Sequence, residues 1–323
     1  MTEDEAISKM VAPSMNRSGR WLGGILQIKV TRVCDASCIN CTQGSQLKGP
    51  HQEMTPEQFE IACQSLQGYQ RVVGLFGGNP ATTKAFPEYC RILRKYIGTT
   101  RAGLWCNNPI TLENATLMRS TFNPGYSVLN CHLNEKAYEL FKKGWPESRP
   151  FGQDHDSRHS PPWVAMKDII ADEGKRWELI AQCDINQYWS AAIGLFRGQL
   201  RAWVCEIMAA QSELHQDDPD YPDTGVALPL PPGATPWWTW PMSFFQEQVR
   251  KHCHECGVPL RGYGELACAA EDGGVEQVSA THAGIYKTKR PGRRVEVVTS
   301  LEQLGMGRLK TGKLTDYVAN ARA

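Results

Sequence analysis

The sequence predicts an α/β fold: a partial (β/α) barrel over residues 25–182, followed by a small cysteine-rich α+β unit. Three observations carry this. Strand-like apolar runs alternate with helical periods from Ile25 to Gln182, the pattern of parallel βα units. The composition changes after about residue 183, where residues 216–241 hold seven prolines, four aspartates and three tryptophans. Seven of the twelve cysteines fall into two groups, Cys34, Cys38 and Cys41 and then Cys183, Cys205, Cys253 and Cys256.

The elements follow in order. Residues 1–24 form an N-terminal extension, and residues 25–33 read as the first strand. Thr55-Pro56-Glu57-Gln58 starts a helix, with Thr55 as cap, Pro56 in the first turn and Gln58 closing a capping box. Arg71 to Phe76 is a second strand and Ala85 to Tyr96 a helix. Arg101 to Cys106 is a third strand, with a helix near 112–120. Tyr126 to Leu133 is a fourth strand, followed by a helix at 135–143. Residues 145–162, rich in Pro, His and Asp, form a loop. Val164 to Ile170 is a fifth strand and Asp172 to Gln182 a helix. The second unit spans 183–270. Its run WSAAIGLFRGQLRAWVC reads as a hairpin turning near Arg197-Gly198. The excursion 216–241 reads as a surface lid whose tryptophans, Trp237, Trp238 and Trp240, pack across the barrel mouth. Residues 271–323 form a basic C-terminal segment, and Val295, Val297 and Val298 suggest a β-ribbon within it.

Bulk properties exclude some classes. A net charge of +1 creates no large field, so any nucleic-acid contact must come from a local patch. No apolar run approaches the ~20 residues that span a bilayer, and the first twenty residues lack the apolar core of a signal peptide. A cytoplasmic location is therefore expected, where cysteines read as metal ligands rather than disulfides.

Cys34-x3-Cys38-x2-Cys41 follows a strand and sits among Asp35, Ser37, Asn40, Thr42 and Gly44, which favour a loop over a helix. Three thiolates hold three irons of a four-iron cluster and leave the fourth without a protein ligand. Packing and zinc are the alternative readings, and a closed zinc site would need a fourth ligand nearby. The residues CDASCINC resemble the signature of the radical S-adenosylmethionine (SAM) superfamily. Gly77-Gly78-Asn79-Pro80, beginning 36 residues after Cys41, resembles that family's GGEP motif, with Asn79 in place of the glutamate. Asn40 stands where many members carry an aromatic residue.

The resemblance implies an open barrel. It also implies a four-iron cluster on Cys34, Cys38 and Cys41, with SAM bound near Gly77, Gly78, Asn79, Pro80, Asn107, Asn108, Asn130 and His132. By alternation, residues 130, 132 and 134 are expected to point one way, into the barrel. It further implies reductive cleavage of SAM, hydrogen abstraction from a substrate carbon, and an electron donor such as flavodoxin or ferredoxin. Cys183, a glycine turn and Cys205 resemble the opening of SPASM and twitch extensions. Cys253 and Cys256 would complete an auxiliary four-iron site, with Cys268 a spare ligand and zinc the alternative metal. Cys63, Cys90, Cys106 and Cys131 fall on apolar positions and read as core.

The expected substrate is a nucleobase-linked group or a nucleotide. The basic run Lys287, Lys289, Arg290, Arg293 and Arg294, with Arg308, Lys310 and Lys313, is placed to grip phosphates. A ribosomal-peptide maturase is the alternative, although the 33 residues before Cys34 are too few for a precursor-binding domain. A non-catalytic zinc-binding module is the third reading.

Overall fold

The run Ile25–Lys29 (β1) places Leu26 and Ile28 on one face and Gln27 and Lys29 on the other, and all five residues are buried. The computed structural model describes residues 1–11, 24–45, 52–154, 158–183, 185–186, 190–262, 266–267, 275–289 and 294–304. Burial on both faces makes β1 a central strand. It pairs in parallel with Val73–Phe76 (β2), Leu26 opposite Val73, and β2 pairs in parallel with Ala102–Leu104 (β3). Single parallel bridges, Trp105 to Val128 and Asn130 to Phe151, extend that edge.

Parallel neighbours need crossovers, and helices supply them. These are Pro56–Ser65 (α2), Phe86–Tyr96 (α3), Leu112–Thr121 (α4) and Glu135–Gly144 (α5), after an N-terminal helix Glu3–Lys9 (α1). The Thr55–Gln58 capping box is present on α2, with Thr55 N donating to Gln58 Oε1 at 2.9 Å. A two-residue strand Arg158–His159 (β4) precedes Met166–Ile169 (α6) and Glu173–Ala181 (α7).

Two expected strands are corrected. Val164 to Ile170 holds α6 instead, because a short apolar run does not by itself separate strand from buried helix. The Asp168 carboxylate on α6 accepts bonds from Ser279 Oγ and Thr281 N, which pins the segment to the C-terminal part of the chain. Around Tyr126 to Leu133 only the bridges at Val128 and Asn130 form. His132 and Leu133 adopt positive φ (46° and 63°), so the alternation expected through 130, 132 and 134 stops there.

The predicted hairpin is present. Ser190–Phe196 (β5) and Gln199–Trp203 (β6) pair antiparallel around Arg197 and Gly198, both at positive φ, as a two-residue turn requires. β5 also pairs in parallel with β1, Leu26 opposite Ala191. The hairpin is thus part of the central sheet, whose order is β3-β2-β1-β5-β6-β7 once Val226–Ala227 (β7) is added. Among the described residues no pairing joins Phe151 to β7, so the sheet is open.

Glu206–Leu214 (α8) packs against β5 and β6 and is buried along its whole length. Gln246–His252 (α9) follows the proline-rich excursion. That excursion does not cross the barrel mouth. Trp237 is fully buried, and Trp238 Nε1 donates to Ser65 O at 3.2 Å and meets Tyr69 edge-on. Tyr69 in turn donates to Gly24 O. Ser65, Tyr69 and Gly24 precede β2 and β1, so the excursion covers the N-terminal strand ends.

After Leu266–Ala267 (β8), paired with β4, a βαβ unit follows. Val275–Val278 (β9), Ala280–Lys289 (α10) and Arg294–Val297 (β10) form it, with the two strands parallel. The expected β-ribbon is therefore a helix-bridged pair, and Lys287 and Lys289 sit on α10. Lys289 is buried, donating to Leu214 O at 2.9 Å and pairing with Asp217 at 2.8 Å, so it grips protein rather than phosphate. Arg290, Arg293, Arg308, Lys310, Lys313 and Cys268 lie outside the described residues. No helix among the described residues is long and apolar enough to cross a membrane.

Candidate active site

β1 delivers the chain to the cysteine loop at the C-terminal edge of the sheet. Beyond the strand, Gly78 N donates to Thr31 O and Asn79 N to Val33 O, both at 2.8 Å. This contact explains the two glycines. A Cβ on Gly77 would stand 2.5 Å from Thr31 O, and one on Gly78 would stand 2.2 Å from Val33 O. The turn after β2 therefore locks directly against the backbone leading into Cys34.

Cys34, Cys38 and Cys41 are half-buried and carry no disulfide among the described residues. The Cys34 thiol donates to Asn107 Oδ1 at 3.7 Å. Burial, with the nearby Cys41 adding to it, pushes the Cys34 thiol up to about 12. A thiol of that kind ionises when a cation takes the place of its proton.

Asp35 ties the site together. Its Oδ1 accepts from Asn79 Nδ2 at 2.6 Å and Asn107 Nδ2 at 3.1 Å, and its Oδ2 accepts from Asn108 Nδ2 at 2.6 Å. Asn79 is fully buried and spends its remaining capacity on the protein. Its Nδ2 also donates to Asn108 O at 2.8 Å, and its Oδ1 accepts from Ala81 N and the Cys106 thiol. One carboxylate between the first two cysteines thus joins the ends of β2 and β3 to the cysteine loop.

The loop is held from the other side as well. Asn40, at φ 51°, pairs with β9 like a short strand. Its N donates to Glu276 Oε2 at 2.7 Å, its Oδ1 accepts from Gln277 N at 2.8 Å and its Nδ2 donates to Val275 O at 3.4 Å. Trp163 Nε1 donates to Cys41 O at 2.7 Å. Asn40 therefore anchors the C-terminal βαβ unit to the loop, a use that only a side chain with both amide groups supplies.

Gly77, Gly78, Asn79, Pro80, Asn107 and Asn108 are brought together with Asp35. Asn130 and His132 are placed differently: Asn130 Oδ1 accepts from His132 N across a turn, and Asn134 caps α5. Cys63, Cys90, Cys106 and Cys131 are buried, as expected of core residues, although Cys106 also bonds Asn79 and Asn108. Asp35, Trp163 and Glu276 are the residues sequence reasoning misses. For Asp35 the available signal was its place between Cys34 and Cys38.

The second cysteine group converges on one small cavity of about 30 Å³, which Cys183, Cys205, Cys253 and Cys256 line together with Met10 and His252. Cys183 follows α7, Cys205 caps α8 with Sγ accepting from Ile207 N at 3.4 Å, and Cys253 and Cys256 follow α9. Burial pushes the Cys205, Cys253 and Cys256 thiols well above their ordinary range, and Cys183 adds to each.

Both thiol sets have the soft donors that iron–sulfur groups use. Among the described residues no three Cys, His, Asp or Glu side chains stand close enough to share one ion. A tetrahedral zinc with Zn–S near 2.3 Å would draw its sulfurs to about 3.8 Å apart. A cluster spreads its thiolates over separate irons and takes a wider arrangement.

No protein-family model matches the chain, and no curated protein is similar to it in sequence. Among solved structures it is similar to the crystal structure of BtrN in complex with AdoMet and 2-DOIA. The two are 13% identical, with 75% of this chain and 94% of that one covered, at a TM-score of 0.41. A TM-score below one half does not establish a shared fold.

Proposed function

We propose that the protein is a radical SAM enzyme whose Cys34, Cys38 and Cys41 hold a four-iron cluster and whose second cysteine group holds an auxiliary cluster. One observation carries the reading. The three thiols sit on a loop at the C-terminal edge of a parallel sheet, where ligands of open α/β sheets bind. There the loop is locked against Gly77–Asn79 and tied through Asp35 to Asn79, Asn107 and Asn108. When bound, the cluster and SAM supply one-electron cleavage of the sulfonium to methionine and a 5′-deoxyadenosyl radical. The chain's own residues supply the setting. The glycine turn holds the loop, Asp35 ties it to Asn79, Asn107 and Asn108, the βαβ unit braces it through Asn40, and Trp163 holds Cys41.

Anaerobic reconstitution should yield a brown protein that releases 5′-deoxyadenosine on reduction. A triple Cys34→Ala/Cys38→Ala/Cys41→Ala variant that cleaves SAM at the wild-type rate would overturn the assignment. A nucleobase-linked substrate is favoured by the exposed Lys287 and Arg294 on the loop-bracing unit. Absence of binding to DNA or RNA at low salt would exclude a polymer substrate.

A further inference from the structure

Lys29, on β1, and Arg32, three residues past its end, form a buried cationic cluster that the cysteine chemistry does not use. Lys29 and Arg32 are 4% and 1% exposed; among the described residues Glu213 is the one carboxylate paired with them, and Lys29 Nζ also donates to Gln43 O at 3.5 Å. Lys29 Nζ lies 2.6 Å from Glu213 Oε2, and Arg32 Nε lies 3.7 Å from Glu213 Oε1. Arg32 Nη1 reaches only the Glu213 backbone oxygen, at 3.5 Å. Two buried cations against one carboxylate leave a net positive charge of one.

The hydrogen-bond inventory points the same way. Arg32 Nε and Nη2 are buried and have no hydrogen-bond partner among the described residues. Gln27, fully buried two residues before Lys29 on the same face, has neither amide atom bonded to a described residue. Guanidinium groups desolvated to this degree are ordinarily matched by a carboxylate or phosphate in a two-pronged pair. The β5 side carries small residues. Ala192 stands opposite Gln27, and a methyl group on Gly194 would meet nothing closer than 3.6 Å. Arg32 is two residues before Cys34, so the cluster adjoins the candidate active site.

We infer that Gln27, Lys29 and Arg32 form an anion-binding subsite that takes a carboxylate or phosphate group of a bound ligand, with Arg32 Nε and Nη2 as its two-pronged donor. The owner of that anion is either the substrate or the carboxylate of SAM, and only this second attribution rests on the proposed function.

The test is calorimetric titration of the full-length, cluster-reconstituted protein with inorganic phosphate and with acetate. Wild-type protein should bind at least one of them, and Arg32→Gln should weaken that binding by about tenfold or more. Arg32→Lys, which keeps charge but loses the fork, should fall between them. Gln27→Leu leaves the ion pair intact and gives an independent reading if Arg32→Gln fails to fold; it should weaken binding severalfold. Repeating the titration with SAM present separates the owners. Competition assigns the anion to SAM, and simultaneous binding assigns it to the substrate. The triple cysteine variant should still bind the anion, so loss of SAM cleavage and loss of this subsite are told apart. No binding of either anion by wild-type protein, or unchanged binding in both Arg32→Gln and Gln27→Leu, would overturn the inference.

Discussion

Restoring a glutamate at position 79 should harm this protein. On the motif alone, Asn79→Glu supplies a missing carboxylate and should bind the SAM ammonium as well or better. The surroundings reverse that expectation. Asn79 Nδ2 donates to Asp35 at 2.6 Å and to Asn108 O at 2.8 Å in a fully buried position. Glutamate has no donor for either. A hydrogen bond to a charged acceptor contributes about 1.5–3 kcal/mol and a neutral one about 1 kcal/mol. The new carboxylate would also face Asp35, so one of the two must take up a proton or both must repel. The two lost bonds account for about 2.5–4 kcal/mol, and taking up a proton against one unit of pKa shift adds about 1 kcal/mol, so about 3–5 kcal/mol of stability should be lost. At about 2 °C per kcal/mol for a chain of this size, the melting temperature should fall by roughly 6–10 °C. The combined Asp35→Asn/Asn79→Glu variant exchanges donor and acceptor and should recover about 2 kcal/mol of coupling energy. Calorimetric melting of wild type, Asp35→Asn, Asn79→Glu and the double variant, with SAM titration of each, measures both. An Asn79→Glu protein that melts within about 1 °C of wild type and binds SAM more tightly refutes the account of Asp35.

Three further outcomes are expected. Replacing Cys253 and Cys256 with alanine should remove roughly four irons per chain while the loop cysteines keep theirs, as expected for a separate cubane; zinc in the wild-type site, or unchanged iron in the variant, would contradict the auxiliary cluster. Gly78→Ala should destabilise the chain by about 3 kcal/mol or more and impair SAM cleavage, since its Cβ would stand 2.2 Å from Val33 O and the backbone must part; a wild-type melting curve would show that the turn yields easily. Burial lowers His215 to about 4. Its neutral form therefore stabilises the fold above the ordinary histidine value of about 6.5, and that contribution is lost as pH falls from there toward 4, at about 1.4 kcal/mol per pH unit. His215→Phe keeps the stack on Tyr221, whose ring lies 4.5 Å away, and should flatten the acid limb of a stability–pH profile. An unchanged limb would place the acid sensitivity elsewhere.

Much of the architecture was legible in the linear pattern because it depends on local rules. The Thr55 capping box, the helices at 86–96 and 135–144 and the Arg197-Gly198 hairpin each arise from residues within a few positions of one another. The cysteine spacings, too, are properties of the chain alone, and they named both groups of thiols. Where Val164 to Ile170 was misjudged, strand and buried helix share one apolar signature, and the bonds of Asp168 to residues more than a hundred positions away favoured the helix.

Long-range partners decided the rest. Sequence gives Gly77-Gly78-Asn79 a turn, but only the tertiary structure shows Thr31 and Val33 pressed against it. Asp35 looks like an ordinary loop residue until three asparagines from two other strand ends converge on it. Pairing of β5 with β1 places the predicted hairpin in the central sheet, and the tryptophan excursion packs at the opposite end from the cysteine loop. Lys289 reads as a phosphate ligand in a basic run, yet a buried carbonyl and Asp217 hold it. Local sequence determines which elements form and which atoms can bind metal. Which polar side chain meets which depends on surfaces assembled from distant segments, because hydrogen bonds and ion pairs act over a few ångströms in space whatever their separation along the chain.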